Sequence, residues 1–189
     1  MIMSWGVSGI MRWRSRLSVV LILLAGGLAY ANSCSGPFIF DDLSDILVNP
    51  HIRRLWPLAN IFLAPPNDPV PARPIVNLTL ALNYALSRYE VWGYHALNLV
   101  IHALAALVLF GLVRRTLLLP SLRQRYEPRA VWLALIAALV WVVHPLNTES
   151  VTYVIQRAEA LLGLWMLLML YGWVRGVRRL PRMSAPGLG

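Results

Sequence analysis

Long apolar stretches separated by polar segments dominate the chain, at about 17–33, 95–113, 130–146 and 160–174. Each stretch is near the lower end of the roughly 17 to 25 residues that a helix needs to cross a bilayer. Flanking arginines and aromatic residues can extend the crossing length by reaching the interface. The pattern predicts an all-α membrane protein, a polytopic bundle of about four transmembrane helices spanning 17–175.

The segment between the first two apolar stretches, 34–94, has its own predicted order. The prolines of "APPNDPVPARP" favour a stiff, extended connector. The following residues, 75–90, predict an amphipathic helix, because Thr79, Asn83, Ser87 and Glu90 recur along one face. A helix of this length is better suited to lying on the outer leaflet than to crossing it.

Arginine placement predicts the orientation of the chain. If the N-terminus is cytoplasmic, the basic segments 1–16 and 176–189 and the loop between the second and third stretches are inside, as the positive-inside rule requires. We therefore expect a multi-pass protein of the bacterial inner membrane, or of the endoplasmic reticulum in a eukaryote. The acidic loop is then on the outer or lumenal side.

Composition supports the membrane class and narrows the partners. The chain is 58% hydrophobic and 13% charged, roughly half the charge of a soluble domain. The net charge of +9 comes from arginines that flank apolar runs rather than form one patch, so we do not expect a nucleic-acid partner.

The first apolar stretch has a second interpretation. Three arginines precede it and Ala29-Tyr30-Ala31 follows it, a pattern that resembles a signal peptide with its cleavage site. An uncleaved first span explains the same pattern, and we favour it because the rest of the chain is itself apolar. Cys34 has no second cysteine to pair with.

Two adjacent acids follow the first stretch, in "FIFDDLSDILVNPHIR". Neighbouring residues point in different directions on a helix or strand, so we expect one carboxylate to act and the other to support it. Asp42 also fits a helix N-cap, with Asp45 in the first turn. Asp41, next to three apolar residues, is the better candidate for a carboxylate held at the membrane surface.

Polar residues inside the second apolar stretch form another candidate cluster. His95, Asn98 and His102 lie on one helical face, where polar groups are either functional or pair helices through hydrogen bonds. The two histidines are two helical turns apart, about 10 Å along the axis, so one metal ion is not expected between them.

The third cluster, "HPLNTESVTYVIQRAE", follows the third stretch. Glu149, Tyr153 and Arg157 recur every four residues, which predicts that they stack on one helical face. The ladder is either a surface ion pair, which contributes little, or a place where Arg157 grips a lipid phosphate through its bidentate fork.

Together, "FDDLSDILVNPHI", "RPIVNLTLALNYALSRYEVWGYHALNLVIHALAALVLFGLVRR" and "HPLNTESVTYVIQRAEALLG" resemble the N-terminal membrane part of the transmembrane and tetratricopeptide-repeat protein family. This family is a branch of the GT-C-type membrane glycosyltransferases. The resemblance implies a sugar donor on polyprenyl or dolichyl phosphate, usually mannose, and an acceptor protein hydroxyl.

The resemblance also implies roles for particular residues. An aspartate of the Asp41-Asp42 pair would accept the acceptor's proton, and Arg157, assisted by His95, would stabilise the charge on the lipid phosphate. Four further residues of the resembling motifs would line the pocket: Asn49, Arg73, His144 and Glu149. No metal ligand is assigned, although paired aspartates permit a divalent cation.

The chain departs from the family in length, since it has neither further spans nor a repeat pattern. We therefore expect a fragment, one part of a split enzyme or an inactive remnant. The alternative is a small non-catalytic membrane protein whose outer loop binds a partner or membrane lipid, with the aspartates as helix caps. A transporter has no support, because inverted repeats and broken spans are not evident.

Overall fold

The computed structural model describes residues 3–62 and 73–177, which form helices and turns without a strand. The proline-rich connector and the tail from 178 lie outside these ranges. The α-helices are α1 Met3–Ala29, α2 Ala59–Phe62, α3 Pro74–Ser87, α4 Val91–Leu117, α5 Pro120–Tyr126, α6 Ala130–Val142, α7 Thr148–Thr152 and α8 Arg157–Val177. Short helical turns occupy Ala31–Ser35, Leu43–Val48, Pro145–Asn147 and Val154–Gln156. The predicted all-α class is confirmed.

Two helical segments are long and apolar enough to cross a membrane, Val91–Leu117 and Val154–Val177. A third crossing counts if α6 and Pro145–Thr152, which meet at a bend of 54°, form one broken span. The protein is therefore an all-α membrane protein, with two or three candidate spans in the described ranges by length and composition. The first predicted span overlaps the end of α1, and the predicted membrane boundaries stay predictions.

Helix α4 is the centre of the bundle and packs against α1, α6 and α8. Its contacts with α1 and α6 enclose a core of Ile22, Ala106, Phe110, Val131, Ala134, Leu135, Ala138 and Val142. Alanines in this core let the helix backbones approach closely, which is how helices associate when lipid offers an equally apolar surrounding. Gly111 serves the same end, because a Cβ there would lie 3.0 Å from the Tyr171 ring.

A second core lies beneath the acidic loop, beside the first turns of α4 and α8. It is built from Ile46, Ile52, Ile61, Val76, Leu80, Ala81, Tyr94, Val154 and Ile155. These side chains come from the loop, from α2 and α3, and from the segment before α8. The loop is therefore packed onto the helical bundle through apolar contacts.

Helix α3 turns part of its polar face into the protein, and its predicted position on the outer leaflet stays a prediction. Asn77 and Asn83 are buried, and the Asn83 side chain donates to the Gly93 carbonyl at 2.9 Å, whereas Leu82 and Leu86 are exposed. In lipid, polar groups are stabilised by facing protein partners. The helix also ends at Ser87 rather than at 90, because Arg88 adopts a positive φ of 53°.

Candidate functional site

The candidate site is built around a break between α7 and α8. Tyr153 is extended, with φ −104° and ψ 114°, so the chain leaves one helix, makes a short turn and begins the next at Arg157. The predicted ladder of Glu149, Tyr153 and Arg157 on one helical face is therefore wrong. Glu149 is exposed on α7, while Arg157 is buried at the start of α8.

The break exposes backbone groups that no helix pairs, and side chains from other segments satisfy them. The Asn98 Nδ2 donates to the carbonyls of Tyr153 and Val154, at 3.3 and 3.2 Å. The Ile155 N–H donates to Asp42 Oδ1 at 2.8 Å. Two sequence-distant polar residues thus hold the broken segment in place.

Asp42 is a buried support and not an N-cap. Its side chain makes no capping bond to the turn that begins at Leu43; its second oxygen instead accepts the Ile39 N–H at 3.3 Å. Burial raises the pKa of this carboxyl, and the bonds from Ile155 and Ile39 oppose the rise. The cap interpretation of Asp42 is therefore wrong, because both oxygens bond to other backbone groups.

Asp41, next to it, is exposed to the surroundings. Its backbone N–H donates to the Tyr153 Oη at 3.1 Å, and the Phe40 ring meets the Tyr153 ring edge-on at 6.4 Å. Phe40 has a φ of 47°, which is unfavourable for a residue with a side chain and is characteristic of functional loops. The geometry fixes the Asp41 backbone and leaves its carboxylate available to a ligand.

Asp45 completes the acidic loop. It is largely buried, accepts the Ser44 hydroxyl at 3.1 Å, and its pKa is raised chiefly by burial. The charges of Asp41 and Asp42 add to this rise, and Arg73 opposes it, so all four charged groups share one neighbourhood. Arg73 is exposed at the start of α3.

Arg157 is fully buried and bonds to neutral acceptors. Its Nε donates to Asn98 Oδ1 at 2.7 Å, its Nη2 donates to the Tyr94 carbonyl at 3.0 Å, and its Nη1 makes a longer contact of 3.4 Å to Thr79 Oγ1. Within residues 3–62 and 73–177, no carboxylate forms an ion pair with it. The charge of Asp42 nevertheless reaches it through space.

The two histidines of α4 take different positions. His95 is buried, with Nε2 3.2 Å from the Gly36 carbonyl, and it is close enough to Asp42 to oppose the rise in the pKa of that carboxyl. His102 lies deeper, with Nε2 2.9 Å from the Val142 carbonyl at the end of α6 and its ring stacked on Trp141. His95 therefore belongs to the acidic-loop neighbourhood, while His102 ties α4 to α6.

The remaining predicted pocket residues serve local structure. Asn49 is buried, and its Oδ1 accepts the His51 N–H at 2.9 Å. His144 is exposed, and its Nδ1 accepts the Leu146 N–H at 3.2 Å, which caps the turn after α6. Neither side chain forms a hydrogen bond with Asp41, Asp42 or Arg157 among the described residues.

Sequence reasoning missed Arg53 as a loop anchor. Its guanidinium donates to the Ile46 carbonyl at 2.8 Å and lies 4.6 and 4.8 Å from the ring centroids of Tyr84 and Tyr89. These contacts fasten the acidic loop to the end of α3. No motif marks this arrangement in the sequence, since it depends on a turn that brings both tyrosines together.

The possible divalent cation has no clustered set of ligands in the described part of the chain. Across the described ranges, no group of three or more His, Cys, Asp and Glu side chains is arranged to hold one ion. Each Asp42 oxygen accepts one backbone N–H, from Ile39 and from Ile155.

Comparison with known proteins identifies the relatives of the chain. It is 34% identical over 157 residues to the protein O-mannosyl-transferase TMTC3 of Mus musculus, covering 79% of this chain and 16% of that protein. It is 33% identical over 187 residues to the protein O-mannosyl-transferase Tmtc3 of Drosophila melanogaster, covering 87% and 20%. It is 31% identical over 175 residues to the human protein O-mannosyl-transferase TMTC4, covering 82% and 23%.

The chain is homologous to the TMTC family. The resemblance inferred from the motifs is thereby confirmed. The chain spans about one fifth of the length of these TMTC relatives. No family model matches it, and no solved structure matches it.

The buried acids of this TMTC-related loop predict a pH-dependent stability. The raised pKa of Asp45 means that the folded state holds this proton more tightly than the unfolded state. The free energy of unfolding is therefore highest below the ordinary Asp pKa of about 3.9 and falls as the pH rises through the folded value. Asn keeps the acceptor for Ser44 without the charge, so we expect Asp45→Asn to be more stable than wild type at pH 7.

Denaturant unfolding in detergent, followed by circular dichroism at several pH values, measures this difference. The advantage of Asp45→Asn should shrink as the pH is lowered below 4. The exposed acid Glu90 provides the control, because Glu90→Gln should show no comparable stabilisation at pH 7. An Asp45→Asn advantage that grows on acidification would contradict the assignment.

Proposed function

We propose that the chain is the N-terminal portion of a membrane glycosyltransferase. It transfers a mannose-like sugar from a polyprenyl-phosphate donor to Ser or Thr hydroxyls of an acceptor protein, with inversion. The supporting observation is the exposed Asp41 on a loop fixed above apolar helices, in a chain whose relatives are named protein O-mannosyl-transferases. We place this loop at the outer or lumenal face.

In the proposed reaction, Asp41 acts as general base. The acceptor hydroxyl oxygen attacks the anomeric carbon as its proton passes to the Asp41 carboxylate. The bond between the anomeric carbon and the phosphate oxygen breaks, and its electron pair stays on the lipid phosphate. A positioned base of this kind contributes roughly 10²- to 10⁴-fold to the rate.

Asp42 positions Asp41 instead of sharing its role. Its two backbone bonds join Ile39, before the pair, to Ile155, after the helix break. The Tyr153 hydroxyl then holds the Asp41 amide from the same break. Because both contacts come from one segment, the position of the base depends on the geometry of the broken helix.

The proposed donor phosphate lies near positive charge that the loop supplies. Arg73 is exposed, so it is available for bidentate contact with phosphate oxygens. Arg157 is covered by Asn98 and Tyr94, so its charge acts through space rather than by contact. The pocket-lining roles predicted for His95, Glu149, Asn49 and His144 stay predictions.

A non-catalytic role is the second candidate, and one observation favours it. Asp42, Asn98 and Arg157 are all used to satisfy the helix break. Such a network stabilises a structure whether or not chemistry follows. In that case the outer loop binds a partner or lipid, and Asp41 is simply a solvated residue.

Donor use separates the two candidates. Membranes from the native host, with the gene intact or deleted, are supplied with mannosyl-phosphoryl-polyprenol and a Ser/Thr-rich acceptor peptide, and transfer is followed by mass spectrometry. We expect gene-dependent transfer from the lipid-linked donor and none from the nucleotide sugar when synthesis of the lipid donor is blocked. Equal transfer with and without the gene would support the non-catalytic role.

A further inference from the structure

The end of the bundle opposite the acidic loop concentrates positive charge. Nine arginines, here called the arginine end, lie in the first half of α1 or at and beside the ends of α4, α5, α6 and α8: Arg12, Arg14, Arg16, Arg114, Arg115, Arg123, Arg125, Arg129 and Arg175. The link that carries α5 joins the end of α4 to the start of α6. The only acid on this link is Glu127, and it pairs with Arg123.

Contacts between helices bring these arginines to one end. The Arg14 guanidinium lies 5.9 Å from the ring centroid of Trp132, which joins α1 to the start of α6. The Arg115 Nε donates to the Tyr171 Oη at 2.8 Å, which joins the end of α4 to the last turns of α8. These contacts place the basic segment of α1 beside the start of α6, and the basic end of α4 beside the last turns of α8.

The two ends of the molecule differ in how far acids offset their arginines. Near the acidic loop, Arg53 and Arg157 bond to backbone carbonyls, an amide and tyrosine rings, and Arg54, Arg73 and Arg88 are exposed beside six described acids: Asp41, Asp42, Asp45, Glu90, Glu149 and Glu159. At the arginine end, the side chains of Arg16, Arg129 and Arg175 are exposed and have no hydrogen-bond or ion-pair partner in the part of the chain that the structure describes. Their charge is therefore available to a ligand outside the protein.

Aromatic residues at the arginine end indicate where this end lies relative to the membrane surface. Trp132, Tyr126 and Tyr171 lie beside the arginines, at the ends of apolar helices, and Trp173 is exposed on α8. Tryptophan and tyrosine prefer the membrane–water interface, which is also the level of lipid phosphates. We therefore expect the exposed guanidinium groups to lie at the level of the lipid headgroups.

We propose that the arginine end binds the headgroups of anionic phospholipids. A guanidinium fork matches two oxygens of a phosphodiester, and several forks at one level select lipids with net negative charge over zwitterionic ones. The adjoining apolar helices accommodate the acyl chains. This role is independent of the sugar-transfer chemistry proposed for the opposite end.

Lipid retention tests the proposal. The full-length native polypeptide is purified and mixed with equal amounts of phosphatidylglycerol and phosphatidylcholine in mixed micelles. The bound lipid is then identified by native mass spectrometry. Wild type should retain phosphatidylglycerol preferentially. The double variant Arg129→Gln/Arg175→Gln should bind phosphatidylglycerol more weakly than wild type. At low ionic strength, we expect the affinity to fall by about fivefold for each arginine removed.

A matched double variant at the other end is the control. Arg54→Gln/Arg88→Gln removes the same charge from exposed positions near the acidic loop and should leave phosphatidylglycerol retention unchanged. Inorganic phosphate in excess should not displace the lipid. Three results would overturn the proposal: equal losses of phosphatidylglycerol in both double variants, no loss in either, or displacement of the lipid by inorganic phosphate. An unchanged circular dichroism spectrum of each variant excludes unfolding as the cause of a loss.

Discussion

Asp41→Asn is expected to lower sugar transfer by roughly 10²- to 10⁴-fold, the contribution of a positioned general base. The substitution removes the proton acceptor but keeps the size of the side chain and the backbone bond to Tyr153. Because Asp41 is exposed, the free energy of unfolding should change little. Transfer from the lipid-linked donor in native-host membranes, normalised to the amount of membrane-inserted protein, measures the loss.

Asp42→Asn should behave differently from Asp41→Asn. An asparagine in that position has one acceptor oxygen, so its NH₂ group would face the N–H of either Ile39 or Ile155. We expect destabilisation by about 1–3 kcal/mol, the cost of leaving a buried backbone donor unsatisfied. The loss of transfer should then follow the loss of folded protein.

Two further variants test whether Asp41 itself, rather than the loop around it, is needed for sugar transfer. Tyr153→Phe keeps the ring against Phe40 and removes the oxygen that holds the Asp41 amide, so transfer should fall less than in Asp41→Asn. Glu90→Gln removes an exposed acid near the same end and should transfer normally. Full transfer by Asp41→Asn in folded protein would rule out Asp41 as the base.

The sequence predicts the helices well because apolar runs and arginines report directly on membrane insertion. The stretches at 95–113 and 160–174 lie inside α4 and α8, and their boundaries depend on composition alone. The surroundings of the polar face of α3 are harder to predict from its amphipathic pattern. The stripe containing Asn83 predicts the polar face of α3, and this side chain is turned into the protein, where it donates to the Gly93 carbonyl.

The site could be predicted only in part. The motif around Asp41 marks the acidic loop, since two adjacent acids after an apolar stretch are uncommon. The break at Tyr153 could not be predicted, because "SVTYVIQRAE" has helical spacing and contains no proline or glycine. The break depends on long-range bonds from Asp42 and Asn98, and the roles of Tyr153 and Asn98 follow from it.

Arg157 and Asn98 should be strongly coupled in stability, since each is the main buried partner of the other. A hydrogen bond that involves a charged group contributes about 1.5–3 kcal/mol, so we expect a coupling free energy of this size between Arg157→Met and Asn98→Leu. The single effect of Arg157→Met is less informative, because it also removes the cost of burying a charge. A double-mutant cycle separates the free energy of the Arg157–Asn98 hydrogen bond from the cost of burying the Arg157 charge.

Denaturant unfolding of the four proteins in detergent provides the cycle. Each single variant leaves a buried polar group unpaired, whereas the double variant removes both, so the two losses should add to more than the loss in the double variant. Arg157→Lys is the matched control, because an ammonium keeps the charge but cannot reach Asn98, Tyr94 and Thr79 in the same fork geometry. Additive losses, with a coupling below about 0.5 kcal/mol, would mean that Arg157 is held by α8 alone and that the helix break does not depend on it.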